Sequence, residues 1–188
     1  MSAPEERAGD RPAPDDVELQ RVLRTGIRDI PGYPQPGILF KDITPLLASP
    51  GALQTVVAAM SGGFGRIDKV TGIEARGFIL AAPVACHLRA GFVPVRKQGK
   101  LPAATYTESY DLEYGTATIE VHTDAFAPGE RVLIVDDVLA TGGTAQAAAA
   151  LVRKAGAEVA GVSVLIELAA LAGRGKLAGL PVRALLAA

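Results

Sequence analysis

Val132 to Thr144 reads VLIVDDVLATGGT, and the order of residues in that stretch decides the fold. An apolar, β-branched run meets two adjacent carboxylates, Asp136 and Asp137, and then a turn of small residues. Ala145 to Leu151 follows in an alanine-rich composition that favours helix. This is the sequence of a strand, a glycine turn and a helix. A strand apolar along its length belongs inside a parallel sheet, so its terminal polar residues fall at the carboxyl edge, where open α/β sheets bind ligands. Asp136 and Asp137 are therefore expected at a site.

The turn itself, Ala140, Thr141, Gly142, Gly143 and Thr144, has the chemistry of a monophosphate cradle. Two glycines let successive N–H groups converge, two threonines add hydroxyl donors, and the helix opening near Thr144 aims its positive end at the same point. It is not a Walker loop, because no GK[ST] follows, and it lacks the GxGxxG spacing of a dinucleotide fold. Taken alone, the glycines suit an ordinary strand-to-helix turn as well as a cradle. The aspartates shift that balance. Adjacent residues on a strand point to opposite faces, so the two carboxylates are not expected to share one cation, and a purely structural role would bury one of them unpaired. A sugar suits them better, since each can accept hydrogen bonds from vicinal hydroxyls while the cradle holds that sugar's phosphate.

The chain has 188 residues, 19 of them basic and 20 acidic, for a formal charge of −1. The length suits a single domain with a real core, and the balanced charge argues against a nucleic-acid partner. No apolar run approaches the ~18 residues of a membrane span, and the charged, proline-rich start MSAPEERAGDRPAPDD does not read as a secretory signal. A cytoplasmic protein is expected. The single Cys86, among Pro83, Val84 and Ala85, is expected to be a buried, inert thiol. Residues 1–14 offer too little to bury and read as a disordered tail, leaving 15–188 as the folded domain.

Asp15 with Glu18 reads as a capping pair for a helix through Val17, Leu19, Val22, Leu23 and Ile27. Further helices are predicted at Ala52 to Met60, around Ile79 to Ala90, at Thr144 to Ala155 and at Ala169 to Leu177. Strands are predicted at Lys69 to Ile73, Phe92 to Val95, Thr116 to Val121, Val132 to Val135, Val159 to Ile166 and Val182 to Leu185. The alternation implies an α/β fold, a mostly parallel twisted sheet with helices on both faces. Pro83 conflicts with its helix unless that helix begins only a turn earlier or kinks.

Four further segments carry chemistry. Glu74-Ala75-Arg76-Gly77 leaves a strand at the same sheet edge, where Arg76 could bind phosphate oxygens bidentately or be an idle surface cation. Arg96-Lys97-Gln98-Gly99-Lys100 is a flexible cationic turn, read equally as a solvated cluster. Thr105 to Gly115 is polar and aromatic, suiting a mobile lid, although Tyr106, Tyr110 and Tyr114 also suit hairpin packing. Gly37 to Asp42 lies between proline-marked turns, and Phe40 could stack on a flat base or pack into a core.

These segments, in order, resemble the type I phosphoribosyltransferases and in particular their adenine-specific branch. The resemblance rests on YPQPGILFKDITPLL (Tyr33 to Leu47), GIEARGFILAAPVA (Gly72 to Ala85), GFVPVRKQGKLP (Gly91 to Pro102), ESYDLEYG (Glu108 to Gly115) and VLIVDDVLATGGT, spanning about Val22 to Leu180. It implies the type I phosphoribosyltransferase fold, with a small base-binding hood over about 30–47 and a flexible lid over about 97–115. The implied reaction joins adenine to 5-phosphoribosyl 1-pyrophosphate (PRPP), giving AMP and pyrophosphate with magnesium, in a homodimer. By resemblance Arg76, Lys97 and Lys100 face pyrophosphate, and the lysines reach it either within a subunit or across a dimer interface. Asp136 and Asp137 hold the ribose and Ala140 to Thr144 its phosphate. Leu39, Phe40 and Lys41 receive adenine, and Glu113 handles its proton. A cis Glu74–Ala75 peptide is also implied. A phosphoribosyltransferase for another nucleobase and a non-catalytic nucleotide sensor stay as alternatives, although intact pyrophosphate and lid segments disfavour the sensor.

Overall fold

The computed structural model describes residues 16–111 and 115–188. Two compact units form, within Arg11–Ala59 and within Met60–Ala188. In the first, α1 (Asp16–Gly26) buries Leu19, Val22, Leu23 and Gly26, a spacing that puts all four on one helical face. Gly26 is where α1 meets α2 (Thr44–Ala48): a Cβ there would lie 2.9 Å from Leu46 Cβ. Two expectations for this helix fail. Val17 is 76% exposed, and α1 stops before Ile27. Glu18 is turned outward to Arg21, at 2.7 and 2.8 Å. Asp15 lies outside the described residues, as does the tail.

Between those helices, β1 (Arg28–Pro31) and β2 (Leu39–Asp42) form an antiparallel hairpin. Arg28–Asp42 and Lys41–Asp29 ion pairs, at 2.6 and 2.7 Å, link its strands. Helix α3 (Pro50–Ser61) follows, close to its predicted span.

The larger unit contains β3 (Lys69–Ile73), α4 (Arg76–Leu88), β4 (Gly91–Lys97), β5 (Thr105–Asp111), β6 (Thr116–His122), β7 (Arg131–Leu139), α5 (Gly143–Lys154), β8 (Glu158–Glu167) and β9 (Val182–Ala187). Its seven strands run in the order β5-β6-β4-β3-β7-β8-β9. The pairs from β4 through β9 are parallel, and β6 pairs antiparallel with both β4 and β5. The mostly parallel α/β sheet is as predicted. From β3 the chain crosses through α4 to β4 on one side, whereas from β7 it crosses through α5 to β8 on the other. Right-handed crossovers then put α4 and α5 on opposite faces. The order reverses between β3 and β7, which is where a sheet of this kind opens a crevice. Val132, Leu133, Ile134 and Val135 are all fully buried, because β7 is covered on both faces.

Four differences from the sequence reading have physical causes. Helix α4 begins at Arg76, so Pro83 sits inside it; the carbonyl freed by its missing N–H belongs to Ile79, which is solvent-exposed, where that loss costs least. Ala169 to Leu177 forms two short 3₁₀ turns instead of an α-helix, interrupted by the left-handed Ala172 at φ 51°. Much of the predicted lid is the regular strand β5, paired with β6 along its length, and Tyr106 and Tyr110 pack against the core. Cys86 is exposed, because it lies on the outer face of α4, one turn on from Ala82 and Pro83. No helix among the described residues is long and apolar enough to cross a membrane.

Candidate active site

Strand lengths create the site. β3 pairs with β7 only as far as Gly72 opposite Val135, while β8 continues beside β7 through Glu167 opposite Leu139. Asp136 and Asp137 therefore lie within β7, which extends past its predicted end at Val135, but beyond the reach of β3. They edge the crevice at the switch point. The segment leaving β3, Glu74 to Gly77, and the turn leaving β7, Ala140 to Thr144, flank it.

Arg76 stands on Asp137, with Nη2 2.6 Å from Oδ2, an ion pair that lacks the alignment of a hydrogen bond. Asp136 Oδ1 instead accepts the Asp137 N–H at 2.9 Å. The two carboxylates thus have different partners, as the strand alternation implied. Burial pushes both carboxyls up; the Asp137 charge adds to the rise at Asp136, while Arg76 opposes it at Asp137. Gly77 is a necessary gap here, since a Cβ on it would come 2.8 Å from Asp136 Oδ1. Gly77 thus lets the start of α4 approach Asp136 closely. The Glu74–Ala75 peptide is cis, as the resemblance implies.

The cradle follows from Gly142, left-handed at φ 79°, which caps α5 without a side-chain hydrogen bond. The Gln146 N–H bonds to the Gly142 carbonyl, so the amides of the intervening residues have no acceptor one turn back. They are the donors an anion would meet. Behind the turn, a Cβ on Gly142 would overlap the Gly173 carbonyl oxygen. Sequence reading did not connect Gly173 with the cradle, because the contact joins residues 31 apart.

The cationic turn expected to be flexible is held at both ends. Glu74 accepts Arg96 Nε and Nη2, each at 3.2 Å, and the Lys97 N–H at 2.9 Å. Buried Glu120 accepts the Lys100 and Leu101 N–H groups, both at 2.9 Å, and Thr105 Oγ1 at 3.3 Å. Arg96 and the Lys97 N–H hold the Glu74 carboxyl below its usual range. Burial works against the Glu120 charge, but the amides of Leu101, Gly99 and Lys100 outweigh it and lower that carboxyl too. The signal in the sequence was a carboxylate between Ile119 and Val121, which demands buried partners without saying which they are.

The remaining candidates belong elsewhere. On the hairpin of the smaller unit, Leu39 is 49% exposed, Phe40 meets Tyr33 edge to face at 5.1 Å, and Lys41 is paired with Asp29. Glu113, with Tyr114, lies outside the described residues.

A parallel sheet whose switch point carries two carboxylates, an arginine and an amide cradle defines a phosphoribosyltransferase, and the family model for the phosphoribosyl transferase domain matches residues 46–182. An adenine phosphoribosyltransferase of Thermobifida fusca (strain YX) is 65% identical over 171 residues, covering 90% of this chain and 97% of that protein. The crystal structure of the adenine phosphoribosyltransferase from Rhodothermus marinus aligns with a TM-score of 0.87 at 54% identity, over 92% of this chain and 99% of that one. The Saccharomyces cerevisiae enzyme, solved with an imino-altritol bisphosphate and adenine, aligns at 0.83 and 37% identity, over 90% and 99%. This chain belongs to the adenine phosphoribosyltransferase family.

Proposed function

We propose that the crevice between β3 and β7 transfers the phosphoribosyl group of PRPP to adenine, releasing AMP and pyrophosphate in purine salvage. The observation that carries this reading is the meeting of Asp136, Asp137 and Arg76 beside an amide cradle. The bond from ribose C1 to pyrophosphate breaks, its electron pair leaves with pyrophosphate, and a ring nitrogen of adenine takes its place. Positive charge builds on the ribose as this happens, so ionised carboxylates beside it stabilise the transition state. Asp136 and Asp137 have that role, and both also accept ribose hydroxyls. Ala140 to Thr144 bind the ribose phosphate.

Arg76 exchanges partners. Its ion pair with Asp137 gives way to the more highly charged pyrophosphate, which frees the Asp137 carboxylate for the sugar. Lys97 and Lys100 complete the cationic side. Magnesium would arrive with the substrate, held through its phosphate oxygens and water and by no proposed side chain, and would offset the charge on pyrophosphate. Leu39, Phe40 and Lys41 receive adenine, with Phe40 on its face and backbone groups at its edge. Glu113 takes the ring proton that adenine loses. The proposed hood lies over 30–47, and the proposed lid, within 97–115, includes the regular strand β5.

The protein is proposed to be a cytoplasmic homodimer. The exposed apolar face of α4, with Ile79 47% exposed and Cys86 two turns on, supplies suitable surface, and sedimentation at twice the chain mass checks it.

Base choice tests the function. AMP should form from adenine and PRPP, while hypoxanthine and guanine, which present a carbonyl where adenine presents an amino group, should not substitute. Comparable turnover with hypoxanthine would overturn the adenine reading and leave the fold intact. Glu120→Gln tests the cationic side. It keeps the shape but weakens the hold on the Lys97–Lys100 turn, so the KM for PRPP should rise about tenfold while the KM for adenine stays within about twofold. Equal changes in both constants would show that Glu120 supports only the sheet.

A further inference from the structure

The 3₁₀ turn Gly173–Leu177 is pressed against the cradle, backbone to backbone. A Cβ on Gly173 would fall 2.8 Å from Gly142 N and 2.9 Å from the Thr141 carbonyl carbon, so neither glycine has room for a side chain. Three residues on, Lys176 is carried to the same place. Its Nζ lies 3.8 Å from the point a Cβ on Gly143 would occupy, beside Tyr110 and the Asp111 carbonyl, which are 3.3 and 3.4 Å from that point. The other cation of this turn is committed to structure, since Arg174 pairs with Glu167 and donates to the Val182 carbonyl at 2.8 Å. Among the described residues no carboxylate lies within ion-pairing distance of Lys176.

Charge balance gives that ammonium a task. A sugar phosphate carries nearly two negative charges, and the cradle meets it with neutral amides and hydroxyls. Asp136 and Asp137, a few residues away, repel it, and the nearby Arg76 is engaged by Asp137. We propose that Lys176 is a further binding residue for the ribose 5′-phosphate, the side-chain cation that offsets the aspartates at the rim of the cradle. This rests on the function proposed above and adds to it a residue from outside the cradle's own loop. The exposed, flexible lysine reaches the phosphate as a point charge, so arginine should serve in its place and methionine should not.

Calorimetry on the full chain with AMP, ribose 5-phosphate and pyrophosphate tests this in the wild type, Lys176→Met and Lys176→Arg. Loss of one charge-assisted hydrogen bond should weaken AMP and ribose 5-phosphate about tenfold in Lys176→Met. Pyrophosphate, which does not enter the cradle, should bind within about twofold of wild type, and Lys176→Arg should recover most of the loss. A Lys176→Met protein that binds AMP as wild type does, or that weakens all three ligands equally, would overturn the assignment; the second result would mean that Lys176 steadies β5 instead. A wild-type protein that binds neither AMP nor ribose 5-phosphate would overturn the proposed function itself, which keeps the two failures apart.

Discussion

Gly142→Val should reduce PRPP affinity by at least about 10²-fold and lower Tm by about 3–10 °C, with the sheet still folded. The residue is left-handed at φ 79°, a conformation that costs a β-branched side chain roughly 1–3 kcal/mol. In addition, its Cβ would overlap the Gly173 carbonyl oxygen, and that atom is backbone, so relief requires the whole 3₁₀ turn to move. The converging amides then lose their geometry. Each charge-assisted bond to phosphate is worth about 1.5–3 kcal/mol, so losing two is enough for the predicted fall. The stability loss follows from the strain, since about 1 kcal/mol shifts Tm by ~2–4 °C in a domain of this size. Gly129→Val is the control for strain alone: φ is 77°, and nothing lies within 4 Å of its added Cβ. It should lose stability and keep PRPP affinity. Unchanged PRPP binding in a folded Gly142→Val protein, read by calorimetry, would place the phosphate elsewhere.

The parts of this site that lie close together in the chain were legible before the fold was known. Val132 to Thr144 contains strand, carboxylates, cradle and helix in thirteen residues, and its local chemistry and its place in the sheet agree. The Glu74 to Gly77 segment could be put at the same edge because it too leaves an apolar strand. Residues that act by long-range contact were hidden. Glu120 is 20 residues from the Lys100 amide it holds, and Gly173 and Lys176 meet the cradle across β8. Nothing in AGRGKL marks it as a neighbour of ATGGT. Strand β5 was missed for a different reason. TYTESYD is polar except at Tyr106 and Tyr110, too few apolar residues to announce a strand, so it reads as loop until β6 supplies a partner along its full length. The hairpin β1–β2 was obscured by Pro31, Pro34 and Pro36, which mark turns but leave the flanking residues free to pair.

Asp136→Asn separates what the crevice costs from what it does. The wild-type carboxyl is held well above the usual 3.8 by burial and by the Asp137 charge, so folding disfavours its ionised form. The sign follows from proton binding. Above the unfolded pKa the unfolded chain releases this proton while the folded protein retains it, so stability falls as pH rises from about 4 toward the raised folded value and is level beyond it. Asparagine removes that penalty and can still accept the Asp137 N–H through its side-chain oxygen. The variant should therefore melt higher than wild type at neutral and alkaline pH, with the difference shrinking toward zero as pH approaches about 4. Activity should move the other way. A neutral amide stabilises the cationic ribose poorly and accepts its hydroxyls weakly, so kcat/KM should fall by about 10²–10³. Thermal melts across the pH range, beside steady-state rates with adenine and PRPP, check both halves. A variant that loses activity without gaining stability would mean that Asp136 is ionised and well paired in the folded protein; one that gains stability at full activity would remove Asp136 from the reaction and leave Asp137 as the carboxylate that meets the ribose.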